Sequence, residues 1–480
     1  MDTNWNFENS YLTLPEIFYS NTKPENFKNL KVILKNKSLL EFLNIEESKF
    51  ETLLINSMNN KNINYFSQAY AGHQFGHFTI LGDGRATFLG EHINKKNQRF
   101  DIQLKGSGKT PYSRNGDGKG TLKSMLREYI ISEAMHNLNI STTRSLAILK
   151  TGEKIFRTNF EEGGILVRVA KSHIRVGTFQ LASLSKEKKD VEDLLEYSIK
   201  RLYPEISKNN DRYLKFFKKI TENQINLIVE WQRIGFIHGV MNTDNMSISG
   251  ETIDYGPCAF MDFYNPETVF SSIDYNGRYA FFNQPSIIKW NLSRFAESLL
   301  PLIDEDEKKA ISIAEENINK FGSLYKKKWL KMMRKKLGLL EELNEDENLI
   351  NNLLLYMNKN KSDYTNTFVD LIDTDLLNKK IYKNETFFNW NKKWEIRKSK
   401  EKKNVELSIK LMKDNNPYII PRNHKVEEVL KLATTKSNFE PMQNMLNALK
   451  KPYNYNMKVD DYQSLPTQDE SKIYKTFCGT

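Results

Sequence analysis

The chain reads as an α+β protein in two parts, a mixed α/β part over residues 1–190 and a mainly helical part over 191–480 that carries a C-terminal extension. Its 480 residues exceed one ordinary domain and suffice to bury a sizeable core. In the first part, apolar and polar residues alternate with the period of a strand around Phe100 and Leu166. After about Val191 the apolar residues recur at helical spacing instead.

The first chemical cluster is LGDGRA, from Leu81, between two apolar runs. Gly82 and Gly84 let a backbone turn approach a phosphate closely, and Arg85 stands beside that turn as a charged donor; the plain alternative is a hairpin with Asp83-Gly84 at its tip. Next, Asp101, Gln103 and Lys105 alternate with Phe100, Ile102 and Leu104, so Lys105 ends a strand and faces a polar side. The stretch from Ser107 to Gly120 contains four glycines with Arg114, Asp117 and Lys119, a composition that suits either a flexible connection or a nucleotide cradle. After Thr121, Leu122, Met125, Leu126, Tyr129 and Ile130 form one helical stripe. That helix offers two carboxylates to brace Lys105, Glu128 first and Glu133 in reserve.

In the strand at Leu166, Ile165, Val167 and Val169 occupy one face and Arg168 the other, with His173 and Arg175 following. Guanidinium groups fork onto phosphate oxygens, so both arginines suit a triphosphate site, although exposed strand arginines are also common. Helices are predicted next over Leu194–Leu202 and Tyr213–Trp231, then over Ile287–Leu302, Ile311–Leu340 and Asp363–Leu377, with Trp290, Phe295 and Leu299 read as core. A Trp- and Lys-rich segment from Asn384 to Asn404 precedes PYIIPRNH and a last helix around Val426–Leu432.

The most informative stretch is HGVMNTDNMSISGETIDYG, His238 to Gly256. Protein kinases hold magnesium on phosphates with the Asn of an H-R-D-x-x-x-x-N loop and the Asp of a following D-F-G. His238 and Asn245 keep the first spacing and Asp254-Tyr255-Gly256 supplies the second. The position of the kinase catalytic Asp is Val240, and an Asp stands instead at Asp244. The frame predicts a bilobal protein-kinase-like fold with altered chemistry, a mixed small lobe and a mainly helical large lobe.

Composition bounds the rest. A formal charge of +11 invites nucleic acid, but the excess is spread over Lys-Asn-rich surface stretches without a recognition motif, so no nucleic-acid partner is expected. No apolar run reaches the roughly 18–20 residues that cross a bilayer, and the start, MDTNWNFENSY, lacks a basic then apolar leader. The expectation is a soluble cytoplasmic protein with no membrane partner. Two cysteines, Cys258 and Cys478, suit a reducing compartment. His73 and His77 stand four apart, but Gly72 and Gly76 weaken a helix there, so zinc is not expected.

Together YAGHQFGHF, LGDGRA, DIQLKGSGKTPYSR, LREYIISEAM, RVAKSHIRVGTFQ, GFIHGVMNTDNM and TIDYGPCAFMD resemble the selenoprotein O family, the kinase-like protein adenylyltransferases, over most of the first 300 residues and the C-terminus. The resemblance implies transfer of AMP from ATP to Ser, Thr or Tyr hydroxyls of protein substrates, redox proteins among them, with pyrophosphate leaving. It implies ATP contacts at Gly82, Gly84, Arg85, Lys105, Asp117, Gly118, Arg168, Arg175 and Asp254, magnesium ligands at Asn245 and Asp254 (manganese being an alternative), and Asp244 as proton acceptor. It also suggests a redox-sensitive pairing of Cys258 with Cys478, against which stands the ordinary reading of Cys258 as a buried thiol. The other function classes are an ATP-dependent phosphotransferase and a silent nucleotide-binding module; oligomeric state is not legible in the chain.

Overall fold

The computed structural model describes residues 5–185, 187–373, 379, 382–401, 405–457, 460–467, 474 and 476. Its N-terminal part is built on a ten-stranded sheet. The main path runs through strands Tyr19–Asn21, Phe66–Gln74, Ala86–Ile93, Arg99–Lys105, Phe160–Ala170, Arg144–Phe156 and Lys31–Lys35, every neighbour antiparallel. Strand His77–Gly82 pairs only with Phe66–Gln74, so LGDGRA is a crossing between two strands that flank a third and not a hairpin tip.

Both faces of the central strands of this sheet are buried, so the polar side on which Lys105 and Arg168 lie is covered and the plain alternative of an exposed strand arginine does not hold for Arg168. One face places Ile102, Leu104, Ile165, Val167 and Val169 against helices Lys37–Leu43 and Glu47–Met58. The opposite face carries Gln103, Lys105 and Arg168, each at most 4% exposed, beneath the remainder of the fold. Helix Leu122–Asn137 starts at Thr121, whose hydroxyl accepts the Ser124 amide, and is buried over nearly its whole length against the two longest strands.

The remainder is mainly helical. Lys188–Leu202, Arg212–Ile234 and Gln284–Ile303 occur close to their predicted spans. The single helix predicted over 311–340 is two, Glu307–Asn319 and Phe321–Lys336. The first packs on Gln284–Ile303 and the second on Arg212–Ile234, so the chain changes direction at Lys320 to reach a new partner. Tyr364–Asp370 is shorter than predicted, and residues 374–378 lie outside the described ones. The helix at Val426 spans Asn423–Thr435 and is followed by Glu440–Leu449, which opens with Pro441 in its first turn. Trp390 and Trp394 stack in the core at 5.7 Å, whereas Trp290 is only half-buried, against expectation. Among the described residues no helix is long and apolar enough to cross a membrane.

Candidate functional site

Three cations converge on one carboxylate where the polar face of the sheet meets the segment His238–Gly256. Lys105 Nζ lies 2.7 Å and Arg168 Nη1 2.6 Å from Asp254 Oδ1, and Arg175 Nη1 lies 3.1 Å from Oδ2. Burial alone would raise the Asp254 carboxyl, but Lys105, Arg168 and Arg175 outweigh it and hold it well below the usual carboxylate range. Asp254 sits at φ 60°, a left-handed conformation that costs a non-glycine residue energy and is kept where the surroundings impose it.

The cations are braced from behind. Glu128 accepts from Lys105 at 2.6 Å, while Glu133 is taken by a two-pronged bond from Arg144 at 2.7 and 2.8 Å; Glu128 is therefore the partner. Gln103, directly opposite Arg168 in the strand register, accepts from its guanidinium. Arg175 lies over the Tyr70 ring at 4.4 Å and reaches Asp83 at 3.3 Å. Asp83 was not singled out in the sequence; its place between Gly82 and Gly84 was the available signal. Burial raises its carboxyl, with Arg175 and Arg168 opposing.

Asp244 lies one side of this cluster. Its backbone carbonyl accepts from Arg175 at 3.0 Å, and its carboxylate is buried, with Oδ1 lacking a hydrogen-bond partner among the described residues. Burial pushes its carboxyl up to about 6, against the pull of Arg175 and a hydrogen bond from Gln74. Strand Phe66–Gln74 passes directly over it: a Cβ on Gly72 would stand 2.5 Å from Asp244 Oδ1, so any side chain there would displace the Asp244 carboxylate. Asn245 is half-buried next door, its amide nitrogen donating to the Val240 carbonyl at 3.0 Å. His238 does not face the cluster by any side-chain bond; its Nε2 is 2.8 Å from the Ile253 carbonyl and ties the two halves of the segment together.

The glycine-rich elements form a second layer. Tyr112 crosses the 82–85 turn so closely that a Cβ on Gly82 would stand 2.2 Å from its ring and one on Gly84 2.9 Å from its carbonyl oxygen. These glycines are thus required by Tyr112, independently of any phosphate. Thr110 donates to the Asp83 carbonyl at 2.8 Å and Gly106 to that of half-buried Arg85 at 2.7 Å, so the 106–120 loop is folded onto the turn. Gly118 takes φ 68° where its neighbour Gly108 comes within 2.0 Å of a Cβ position. Asp117 is exposed and bound by Arg157 at 2.9 Å through both oxygens. The structure brings Lys105, Arg168, Arg175, Asp244 and Asp254 together with Asn245 adjacent. It joins Gly82, Gly84 and Arg85 to them through Asp83, and gives Asp117 and Gly118 no direct contact with them.

Two residues outside the expected set secure the segment after Gly256. Arg127 donates to the carbonyls of Gly256 and Cys258 and to the Tyr474 hydroxyl. Arg422 joins Asp262 to Asp363 at 2.7 and 2.6 Å. Cys258 is fully buried, and burial raises its thiol despite Arg127; Cys478 lies outside the described residues. A cavity of about 280 Å³ opens beside this segment, lined by Met261, Asp262, Tyr264, Asn423 and Tyr474 among others, and by none of the converging ions. His73 and His77 fall on the two strands of one hairpin and not on a shared helix face.

The family model described as protein adenylyltransferase SelO matches residues 2–450. The chain is 51% identical to a protein nucleotidyltransferase YdiU of Clostridium perfringens over 483 residues, all of this chain and 98% of that one. It is similarly 51% identical to the protein of that name from Bacillus cytotoxicus, over all of this chain and 98% of the relative. With the one from Pelagibacter ubique it shares 50% over the full length of both.

Proposed function

Since the chain belongs to the SelO family of protein nucleotidyltransferases, we propose that its ion cluster binds ATP in a protein-kinase-like frame and transfers AMP to Ser, Thr or Tyr hydroxyls of protein substrates. The observation that carries the reading is the convergence of three cations on Asp254 beside a second buried aspartate, Asp244, whose carboxyl burial raises to about 6. In this reading the bond from the α-phosphorus to the bridging oxygen breaks, a bond to the acceptor oxygen forms, and pyrophosphate departs with the electron pair. The acceptor proton passes to the Asp244 carboxylate, a group whose raised value suits a general base at neutral pH. Lys105, Arg168 and Arg175 stabilise the charge building on the departing phosphates. Arg85 and the Gly82–Gly84 turn bound the phosphate side, and Asp117 and Gly118 its outer rim.

The donor set fits a hard divalent cation: the Asn245 amide oxygen, the Asp254 carboxylate and the unpartnered Asp244 oxygen are all oxygen ligands, the preference of magnesium and manganese. Asn245 and Asp254 would hold it, and when bound it would screen the attacked phosphate. Arriving phosphates compete for Lys105, Arg168 and Arg175 and so free Asp254 for that role. Val240 in the place of the kinase base weighs against ordinary phosphate transfer. Within the same reading residues 1–190 supply the phosphate-binding lobe and 191–480 the lobe that carries acceptor and metal groups.

The test is incubation of the protein with bacterial extract, magnesium and ATP labelled separately on the α- and γ-phosphorus, with Asp254→Ala as control. Label on protein from the α position alone, lost in the variant, is expected; label from the γ position overturns the proposal.

A further inference from the structure

The motif Tyr70–Phe78, YAGHQFGHF, extends beyond what the transfer chemistry uses. Past Gly72 its hairpin turn is locked onto the residues just before Asp244. The His73 amide donates to Thr243 Oγ1 at 2.8 Å and the Phe75 amide to Asn242 Oδ1 at 3.1 Å. The Tyr279 hydroxyl donates to the same Asn242 oxygen at 2.6 Å. Phe75 takes φ 50°, strained for a bulky residue.

Around this turn stands a ledge of cations on one indole. The half-buried Trp290 carries Arg278 at 4.9 Å and Arg294 at 5.3 Å from its ring, and the His73 ring meets it edge-on at 5.1 Å. Phe78, 42% exposed, packs on the other side of His73 at 5.0 Å. Among the described residues no carboxylate forms an ion pair with Arg278. Asp274, its nearest acid in sequence, is occupied by the backbone amides of Arg278 and Tyr279 at 2.9 and 2.8 Å. Arg294 has Glu297 at 2.5 Å, on a half-exposed pair. The Nε atoms of both arginines are buried without hydrogen-bond partners. Burial lowers the His73 imidazole, and Arg294 and Arg278 lower it further. With Arg294 paired to Glu297, the excess positive charge of the ledge is that of Arg278, and the ledge is firmly attached to the segment bearing the acceptor-side base.

We propose that this ledge reads the protein acceptor: Arg278, supported by Arg294 and Trp290, receives an Asp or Glu side chain that flanks the hydroxyl to be modified. The proposal rests on the adenylyl-transfer reading, with Asp244 facing the acceptor. The occupant follows from charge complementarity, since a guanidinium held on an aromatic face with no carboxylate paired to it among the described residues matches an incoming carboxylate.

The test uses the full-length protein, magnesium, α-labelled ATP and synthetic decapeptides with one central Ser, Thr or Tyr flanked by acidic, neutral amide or basic residues. The wild type is expected to label acidic peptides about fivefold better than basic ones, the size of an exposed charge pair. Arg278→Glu is expected to reverse that order, a gain on basic peptides that misfolding does not produce, and Arg278→Lys to keep it. Equal labelling of acidic and basic peptides, an unchanged order in Arg278→Glu, or no peptide labelling overturns the proposal. Extract proteins labelled from the α position by the same preparation separate that failure from failure of the transfer reading, which falls too if extract labelling is absent.

Discussion

Two buried ion networks in this chain have opposite characters. In the C-terminal helical part, Asp346 is wholly buried and receives Arg334 Nε and Arg397 Nε at 2.6 Å each, with the Leu343 amide at 2.9 Å. Arg397 also binds Glu401, which in turn accepts from the Leu340 and Glu341 amides. None of these four side chains has a buried polar atom without a partner. The network at Asp254 concentrates three cations on one strained, partly accessible carboxylate and leaves an oxygen of Asp244 without a hydrogen bond, while the second oxygen of Glu128 has only a longer ion pair with Arg168 at 3.5 Å. A buried ion network that serves only the fold closes its valences, whereas one kept for chemistry holds charge in a state that a ligand completes.

Substitutions sharpen that contrast, and the largest effect is expected at Asp254. Asp254→Asn keeps size and shape while removing the charge, and is expected to lower AMP transfer by about a thousandfold, measured with α-labelled ATP. Asp346→Ala strands two buried guanidiniums and is expected to cost about 3–5 kcal/mol in chemical denaturation. A transfer loss at Asp346 without a stability loss would erase the distinction between the two networks.

Asp244→Asn is expected to reduce transfer by about a hundredfold or more. In the wild type, transfer should be half-maximal near pH 6, the value to which burial raises this carboxyl, and level off about one pH unit higher. The sign for stability is opposite. A carboxyl raised on folding binds its proton more tightly in the folded state, so its contribution is present below the unfolded value and lost as pH rises through about 6. Asp244→Asn should therefore raise the thermal midpoint at pH 7, an outcome that calorimetry checks and that a purely structural Asp244 would not give. The smallest effect is predicted at Glu133. Its replacement by Gln should cost about 1 kcal/mol and leave transfer intact, whereas Glu128→Gln should slow transfer more than tenfold.

The helix carrying both glutamates shows why part of the site was illegible. Glu128 and Glu133 lie five positions, roughly 140° of helix rotation, apart, so they point to different neighbours. That helix is buried nearly all round, and a stripe pattern does not reveal which face meets Lys105. Arg144 decides it by occupying Glu133. The strand arginine was obscured in the same way: alternation distinguishes the two faces of a sheet but not a solvated polar face from one covered by the second half of the molecule. The missed bend at Lys320 and the missed helix Glu440–Leu449 arise from packing partners that local spacing does not name.

The amino-acid order by itself determined the local elements around the site, the identities of the converging charges and the His238–Gly256 spacing, because strand and helix periods and turn chemistry act over a few residues. Tertiary structure decided which charges meet. It brought residues separated by up to 149 positions, Lys105 and Asp254, within 2.7 Å, withdrew Asp117 to an exposed pair with Arg157, and set a cationic ledge beside Asp244. Those outcomes depend on desolvation and on long-range packing against a sheet buried on both faces, quantities that exist only once the chain has folded.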